Sequence, residues 1–524
     1  MWFELFGLGV LLCSMILSWK LSAVLLLPCF FFYRLITKNF DRWERAGVPY
    51  KAGTFPWGSV NFLGGEKNNN QHFLDLCNEF KDSKFFGFFM FGKPVLMVND
   101  AELAKNIKVK DFNHFVDSQT EDVVSKLRKG GALDSLFNQN ITTAKGEEWK
   151  DVRSSLSPIF TSGKMKLMLK FVVDVSGRLF NEMEKQVDQG EFELKELTGR
   201  FSLDALASCA FGLDFDSFGG STSNAFVEHA ADVFQQDIWT LVAALKFIPG
   251  VSNIFEAFNI NVQKPKSVKF FKEIVTRTLK QRSESGQRRN DMIDMMLDIM
   301  NEKDKEEVEG ETDQYHQDMR FSHQKRRRLT ENDIVSNLII LLIVGYDTTG
   351  MTLAFILHAL AENPEVQEKL QMEVDLAWEA AGGSFPDYSK IQGLTFCEMV
   401  IMEALRFYTP LAVTVRACNE DYNVPGSDLV LKKEEMVAFN GMFMHKDPRH
   451  WSHPDIFYPA HWSPEEKSRR QALLEKNVKI SSSDKKNCIN LSRPGLRTLS
   501  KHLAKVLAPV LACALPFLNS RWPL

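Results

Sequence analysis

The pattern of apolar and polar residues begins with a long hydrophobic run. Residues 5–33 are almost wholly apolar, interrupted by Lys20 and Pro28, and such a run is long enough to span a bilayer. Glu4 precedes it and four basic residues follow it between positions 34 and 45. This order is not typical of a cleaved signal peptide, and the basic side is expected to stay cytoplasmic. We therefore predict a transmembrane anchor over residues 1–34, with a buried core helix as the alternative.

Beyond the anchor, the pattern changes character three times. Proline and glycine punctuate residues 47–59, so a helix cannot continue there, and we predict a hinge over residues 35–59. Residues 84–100 contain two strand-like runs around a glycine and a proline, which predicts a β-hairpin. Helical spacing then dominates from residue 101 to about 410, and residues 411–440 again alternate like strands. The pattern predicts a mostly helical chain with a hairpin in a small sheet and a second, shorter β-rich region.

Composition narrows the classes of protein to consider. The 524 residues are 44% hydrophobic and 25% charged, which suits a globular protein with a large core or two lobes. The formal net charge of -4 offers no basic excess, so we expect no nucleic acid partner. Eight scattered cysteines without a CxxC pair favour a reducing compartment, with at least one cysteine as a possible ligand. The charged block 301–329 is predicted to be a solvated loop between two helices.

A helix that begins near Thr330 is apolar nearly all round and should cross the core. Its centre reads Gly345-Tyr346-Asp347-Thr348-Thr349-Gly350, and glycine and threonine are poor choices for the middle of a helix. A locally opened helix whose groove admits a small ligand, with Asp347 and Thr348 relaying protons, would explain them. The alternative is that Asp347 or Thr348 caps a second helix.

Three further groups of charged residues are candidates for a site. Glu403 and Arg406 share one helical face, and a pair at this spacing is usually solvated at the surface. Their apolar neighbours raise the alternative of a buried pair that fixes the fold near a cofactor. Trp149 and Arg153 lie four residues apart and could together hold a carboxylate, or they could simply belong to an amphipathic helix with a packed tryptophan. Arg416 could also reach an acidic ligand, although an exposed strand arginine is the default reading.

Taken in order, the anchor, Trp-x-x-x-Arg, Gly-Tyr-Asp-Thr-Thr and Glu-x-x-Arg resemble the cytochrome P450 family, in its microsomal, xenobiotic-type branch. Residues 43–50, 111–117, 160–166 and 445–459 add to the resemblance. It implies a mainly α fold with a small β-lobe, behind the transmembrane helix. The haem domain would cover residues 60–524, divergent after about residue 460, with haem between the central helix and a cysteine loop. The resemblance also implies a monooxygenase that inserts one atom of O2 into apolar small molecules. NADPH would supply electrons through a flavoprotein reductase at the endoplasmic reticulum membrane, with the catalytic domain facing the cytosol.

The resemblance also assigns roles to individual residues. Thr348 with Asp347 would handle protons, and Gly345 would leave room for bound oxygen. The haem propionates would be held by Trp149, Arg153 and Arg416. The Glu403–Arg406 pair would brace the cysteine loop. Val344 stands where the family often has alanine or glycine, which would narrow the oxygen pocket.

The C-terminal region departs from the family pattern. His461 stands where the family has an arginine that completes the Glu403–Arg406 pair, which puts a three-point brace in question. The family's ligand loop reads Phe-x-x-Gly-x-Arg-x-Cys-x-Gly, and residues 481–490 stand in its place. Only two of its features remain: Cys488, as the iron ligand, and a cation at Lys486. The abrupt change suggests an alternative C-terminus after about residue 460. The alternative function is therefore a catalytically silent, membrane-bound relative with impaired haem binding.

Overall fold

The computed structural model describes residues 26–27, 30–31, 33–60, 69–90, 92–219, 224–234, 250–261, 264–301 and 328–476. The chain divides into two compact units, each of which joins two stretches of sequence. Unit 1 combines Met1–Val116 with Leu411–Met444, and unit 2 combines Asp117–Pro410 with His445–Leu524. Among the described residues all β-strands lie in unit 1, and unit 2 is helical. The prediction of a mainly α fold with a small β-lobe is confirmed.

A four-stranded sheet in the order β1-β2-β6-β3 lies at the centre of unit 1, beside a separate two-stranded ribbon, β4-β5. The strands are β1 Phe85–Met90, β2 Lys93–Val98, β3 Val413–Ala417, β4 Tyr422–Asn423, β5 Val430–Leu431 and β6 Met436–Asn440. Strands β1 and β2 form the predicted antiparallel hairpin. Strand β2 pairs in parallel with β6, which pairs antiparallel with β3. The two β-rich stretches predicted from the sequence therefore meet in one sheet.

Both faces of this sheet are buried, which explains why β1 is apolar throughout instead of alternating. Phe86 and Phe88 pack into one apolar cluster, and Phe89 packs into another on the opposite face. Trp43 lies against Gly87, where an added Cβ would be 2.3 Å from the indole ring, so only glycine fits. The backbone of Lys51 also bonds to Gly87, at 2.9 Å. The segment predicted as a hinge thus adds to the edge of β1.

The helices of the described residues are α1 Arg42–Arg45, α2 Asn69–Glu79, α3 Ala101–Lys105, α4 Glu121–Arg128, α5 Ala132–Phe137, α6 Gly146–Leu156, α7 Ser162–Gln189, α8 Leu194–Ala210, α9 Asn224–Phe234, α10 Val251–Ala257, α11 Pro265–Ser285, α12 Met292–Asn301, α13 Glu331–Glu362, α14 Pro364–Ala380, α15 Tyr388–Gln392, α16 Thr395–Tyr408, α17 Gly441–His445 and α18 Pro464–Lys476. A π-helical turn, Asn106–Lys110, follows α3, and a 3-10 turn, Pro459–Trp462, precedes α18.

Helix α13 is the long apolar helix that the sequence predicts. Thr330 and Asp333 form a reciprocal capping box, which satisfies N–H groups at the first turn and fixes where the helix begins. On one side α13 packs closely against α8. An added Cβ at Gly350 would lie 2.9 Å from the Cα of Gly199, so two glycines allow the backbones of these helices to approach. Helix α13 then ends at Glu362, before Pro364.

Several sequence predictions fall on residues outside the described ranges. These are most of the anchor over residues 1–34, most of the charged block 301–329 and the chain after residue 476. Within the described ranges, α13 alone is long and apolar enough to cross a membrane, by length and composition only. Because α13 packs in the core of unit 2, that finding does not bear on the anchor.

Candidate functional site

The residues predicted to act on oxygen lie in the middle of α13. Val344 and Thr348 lie one turn apart, and Val344 is 37% exposed. The Thr348 hydroxyl donates to the Val344 carbonyl at 2.5 Å. Helix α13 runs unbroken from Glu331 to Glu362. The predicted local opening is therefore wrong, and so is the alternative of a second helix capped by Asp347 or Thr348, because a back-bonded threonine is accommodated within a continuous helix.

Gly345 faces a different neighbour. An added Cβ there would lie 3.0 Å from a methyl carbon of Leu206 on α8, and the Ser202 hydroxyl donates to the Gly345 carbonyl at 3.0 Å. The absence of a side chain at Gly345 therefore serves the packing of α13 against α8. Its assignment as a residue that makes room for oxygen stays a prediction.

Asp347 pairs with a lysine that the sequence reading did not single out. The Lys195 ammonium on α8 lies 3.4 Å from the Asp347 carboxylate, whose side chain remains 40% exposed. An exposed ion pair of this kind contributes little stability. The Asp347 carboxylate therefore stays in contact with solvent, one residue before Thr348.

Trp149 and Arg153 lie in α6, on the same side and one turn apart, as predicted. Trp149 is buried, and Arg153 is partly buried. The helix begins at Gly146, whose N–H donates to the Asp117 carboxylate at 2.8 Å. This contact fixes the first turn and therefore the direction in which the indole and the guanidinium project.

Arg416 lies on β3 and is buried, not the exposed strand arginine that was the default. Its Nη1 donates to the Val116 carbonyl at 3.2 Å, and its guanidinium lies 5.7 Å from the centre of the Phe112 ring. A second cation, Lys108, reaches the same strand and donates to the Thr414 hydroxyl at 3.1 Å. Burial and the charge of Arg416 lower the pKa of Lys108 to about 8.

Glu403 and Arg406 of α16 form the buried pair that their apolar neighbours predicted. Both side chains have no exposed surface, and two hydrogen bonds of 2.7 and 2.9 Å join them. Arg406 also donates to three backbone carbonyls, those of His445, Pro454 and Ile456. Every N–H group of the guanidinium side chain is therefore used in fixing the chain around it.

The third point of the brace is present in another form. His461 Nδ1 lies 3.1 Å from the Glu403 carboxylate, and Trp462 Nε1 donates to the same carboxylate at 3.0 Å. Arg470 of α18 lies 4.3 Å from the Trp451 ring centre and 5.2 Å from that of Trp462, and it bonds to the His461 carbonyl. Burial alone would raise the pKa of Glu403, but hydrogen bonds from His461 and Arg406 hold it below its usual value.

The predicted iron ligand, Cys488, and Lys486 lie outside the described residues. Four cysteines within them are buried free thiols: Cys77, Cys209, Cys397 and Cys418. Burial raises the pKa of Cys77 and Cys209 to about 12 and that of Cys418 to about 11. These three thiols stay protonated at neutral pH, which suits packing and not the ligation of a metal.

Sequence reasoning missed Lys108, Lys195, Trp462 and Arg470 as members of these clusters. Lys108 and Lys195 belong to helical segments in which charged residues usually face solvent, so spacing gave no signal. Trp462 directly follows His461, and a tryptophan at that place carries no sequence signal of a bond to a distant carboxylate. Arg470 could not be placed, because it lies beyond the point at which the resemblance falters.

The sequence is similar to one family model and to several known proteins. A family model described as Cytochrome P450 matches residues 52–477. Cytochrome P450 6k1 of Blattella germanica is 28% identical over 465 residues, which cover 88% of this chain and 85% of the relative. Probable cytochrome P450 6a14 of Drosophila melanogaster is 29% identical, covering 84% of each chain. Cytochrome P450 3A41 of Mus musculus is 29% identical over 498 residues, covering 94% of this chain and 90% of the relative.

Proposed function

The chain belongs to the cytochrome P450 family, and from this we propose that it is an active monooxygenase that oxidises apolar small molecules. Haem is the cofactor of this family, and haem-thiolate monooxygenation is the activity that its members imply. Our proposal adds electrons from NADPH, delivered by a flavoprotein reductase, and a place at the endoplasmic reticulum membrane. Residues 1–34 would anchor the chain, residues 35–59 would lead into the haem domain, and residues 60–524 would form it on the cytosolic side.

The described residues fit the carboxylate edge of a haem. Arg416 on β3 is 5% exposed, and Lys108 approaches this strand from the π-helical turn, so two cations lie at β3 in an environment that disfavours charge. A haem carries two propionate carboxylates, which would compensate such cations. We assign propionate binding to Arg416, Trp149 and Arg153. This concentration of buried positive charge is the observation that carries the proposal.

The residues of α13 would manage protons. When bound, haem would supply oxygen activation at an iron whose thiolate ligand we assign to Cys488, with Lys486 as a nearby cation. The hydrogen of the Thr348 hydroxyl is used by the Val344 carbonyl, which leaves its oxygen free to accept a hydrogen bond. Asp347, held by Lys195 and open to solvent, would exchange protons with water and deliver them beside Thr348.

The Glu403 brace would act on the cysteine loop from a distance. Its members fix the 3-10 turn Pro459–Trp462, which leads into the segment that carries Cys488. Because the turn is bonded through a buried carboxylate, the position from which the chain departs toward the loop is set by α16. We assign Glu403 and Arg406 a positioning role on this ground.

The test is the absorption spectrum of the reduced, carbon monoxide-treated full chain. A thiolate-ligated haem shifts its Soret band to longer wavelength than a histidine-ligated haem does. We expect the shifted band in the wild type and in Cys513→Ala, a control from the same C-terminal segment, and its loss in Cys488→Ala. Purified protein that takes up no haem would favour the catalytically silent alternative. A shifted band that persists in Cys488→Ala would refute our ligand assignment.

Topology has a separate test in the Asn-x-Ser/Thr sites. The two sites are Asn140, with Thr142, and Asn490, with Ser492. Both would be glycosylated only if the topology were reversed. We expect no glycan on Asn490 when the chain is expressed in microsomes, and a glycan there would place the C-terminal domain in the lumen.

A further inference from the structure

Lys108 occupies an unusual position for a lysine. It lies in the π-helical turn Asn106–Lys110, yet its ammonium group points onto the sheet of unit 1. Its contacts are the Thr414 hydroxyl at 3.1 Å and the face of the Phe439 ring, 4.9 Å from the ring centre. In the described part of the chain Lys108 has no carboxylate partner. A hydroxyl and an aromatic face compensate a positive charge only in part.

The same face of the sheet carries Arg416. Thr414 and Arg416 are two residues apart on β3, so their side chains project from one face, and Thr414 pairs across the sheet with Phe439. Lys108 therefore meets the strand at the side from which Arg416 extends. Burial lowers the pKa of Lys108, and the charge of Arg416 lowers it further. A nearby like charge disfavours the charged form of each group, and an anion between the two cations would offset that effect.

We propose that Lys108 and Arg416 form a paired-cation site for one carboxylate, and that its occupant is a haem propionate, with Lys108 as a positioning residue for the cofactor. This inference rests on the proposed function for the presence of haem. In this site the Lys108 ammonium donates a charge-assisted hydrogen bond to the propionate. Its contacts with Thr414 and Phe439 already orient the ammonium group. An acidic substrate offers the same carboxylate chemistry, and the experiment separates the two sources.

The experiment measures how fast the full chain, reconstituted with haem, loses it to excess apomyoglobin, followed by absorbance. Lys108→Met keeps the length of the side chain and removes the charge, and methionine suits the partly apolar surroundings. Lys110→Met is the matched control, because Lys110 is exposed in the same turn. We expect Lys108→Met to lose haem about tenfold faster, the scale of one charge-assisted hydrogen bond. Lys110→Met should match the wild type, and Lys108→Arg should restore most of the retention.

A second set of measurements uses haem whose propionates are methyl esters. Esterification removes the carboxylate, so the wild type and Lys108→Met should then lose the cofactor at equal rates. A difference that persists with the ester would mean that Lys108 acts through packing, and it would overturn the proposal. If the wild type and Lys108→Met lost ordinary haem at equal rates, the proposal would also be overturned. Weaker binding of an acidic substrate to Lys108→Met, with haem loss unchanged, would then assign the site to the substrate. A wild-type chain that takes up no haem would refute the proposed function, and this inference with it.

Discussion

Replacing Glu403 by alanine is the most informative perturbation of unit 2. The carboxylate accepts five hydrogen bonds, two from Arg406 and one each from the Tyr458 N–H, His461 and Trp462. Glu403→Ala removes all five acceptor contacts and leaves the Arg406 charge buried. Its three bonds to backbone carbonyls remain, so the guanidinium stays in place but loses its counter-charge.

The expected loss follows from that uncompensated charge. Breaking a buried ion pair by removing one partner costs about 3–5 kcal/mol in free energy of unfolding. The double variant Glu403→Leu with Arg406→Met removes both charges and replaces them with apolar groups of similar size. Because no buried charge then stays unpaired, we expect the double variant to be more stable than Glu403→Ala.

Urea unfolding followed by tryptophan fluorescence measures this directly, because Trp451 and Trp462 lie in the cluster itself. Glu362→Ala is the matched control. Glu362 pairs with His358 at 3.5 Å on the surface of α13, and both side chains are more than half exposed. Its removal should change the free energy of unfolding by no more than about 0.5 kcal/mol.

The reasoning would be refuted by a loss below about 1 kcal/mol for Glu403→Ala, since that is the value expected of an exposed pair. It would equally be refuted if the double variant were less stable than Glu403→Ala. That result would mean that the charges contribute net stability and that the desolvation argument for this cluster is wrong.

Three further predictions concern packing, pH and thiol chemistry. Gly350→Ala should lower the free energy of unfolding by about 1–2 kcal/mol in the same urea assay, because the new Cβ must push α13 away from the backbone of Gly199. Burial raises the pKa of Asp204 from 3.8 to about 6, so the folded state binds more protons than the unfolded state between these pH values. The free energy of unfolding should therefore fall by about 3 kcal/mol as the pH rises from 4 to 6. Asp204→Asn should abolish that fall, and an unchanged slope between pH 4 and 6 would contradict it. Cys77 and Cys418 should resist iodoacetamide at pH 8 until the protein is denatured, as read by mass spectrometry of their peptides.

Local patterns predicted the elements of the fold well because each depends on neighbours in sequence. The hairpin of β1 and β2 followed from apolar runs around a turn, and the start of α13 followed from the Thr330 cap. The pairing of β2 with β6 did not, since no local rule selects a partner strand more than three hundred residues away. The continuity of α13 through Gly345 and Thr348 was also missed, because packing against α8 overrides the weak propensities of these residues.

The candidate site was predictable where residues share one element and unpredictable where elements converge. Trp149 with Arg153 and Glu403 with Arg406 share helical faces, so spacing alone brought them together. His461, by contrast, was read as a weakness of the brace, because a histidine carries no fixed charge and its hydrogen bond to Glu403 depends on tertiary geometry. Lys108 gave no signal for the same reason, since its partner strand comes three hundred residues later.

The parallel pairing of β2 with β6 has a consequence for biosynthesis. Val95 pairs with Met436, so the third strand of the sheet leaves the ribosome 341 residues after the second. At about 5–20 residues per second this delay is roughly 20–70 s. For that time the edge of β2 that later pairs with β6 stays open, and an unpaired strand edge is the kind of surface that aggregates. The nascent chain should therefore depend on chaperones until residue 440 has emerged.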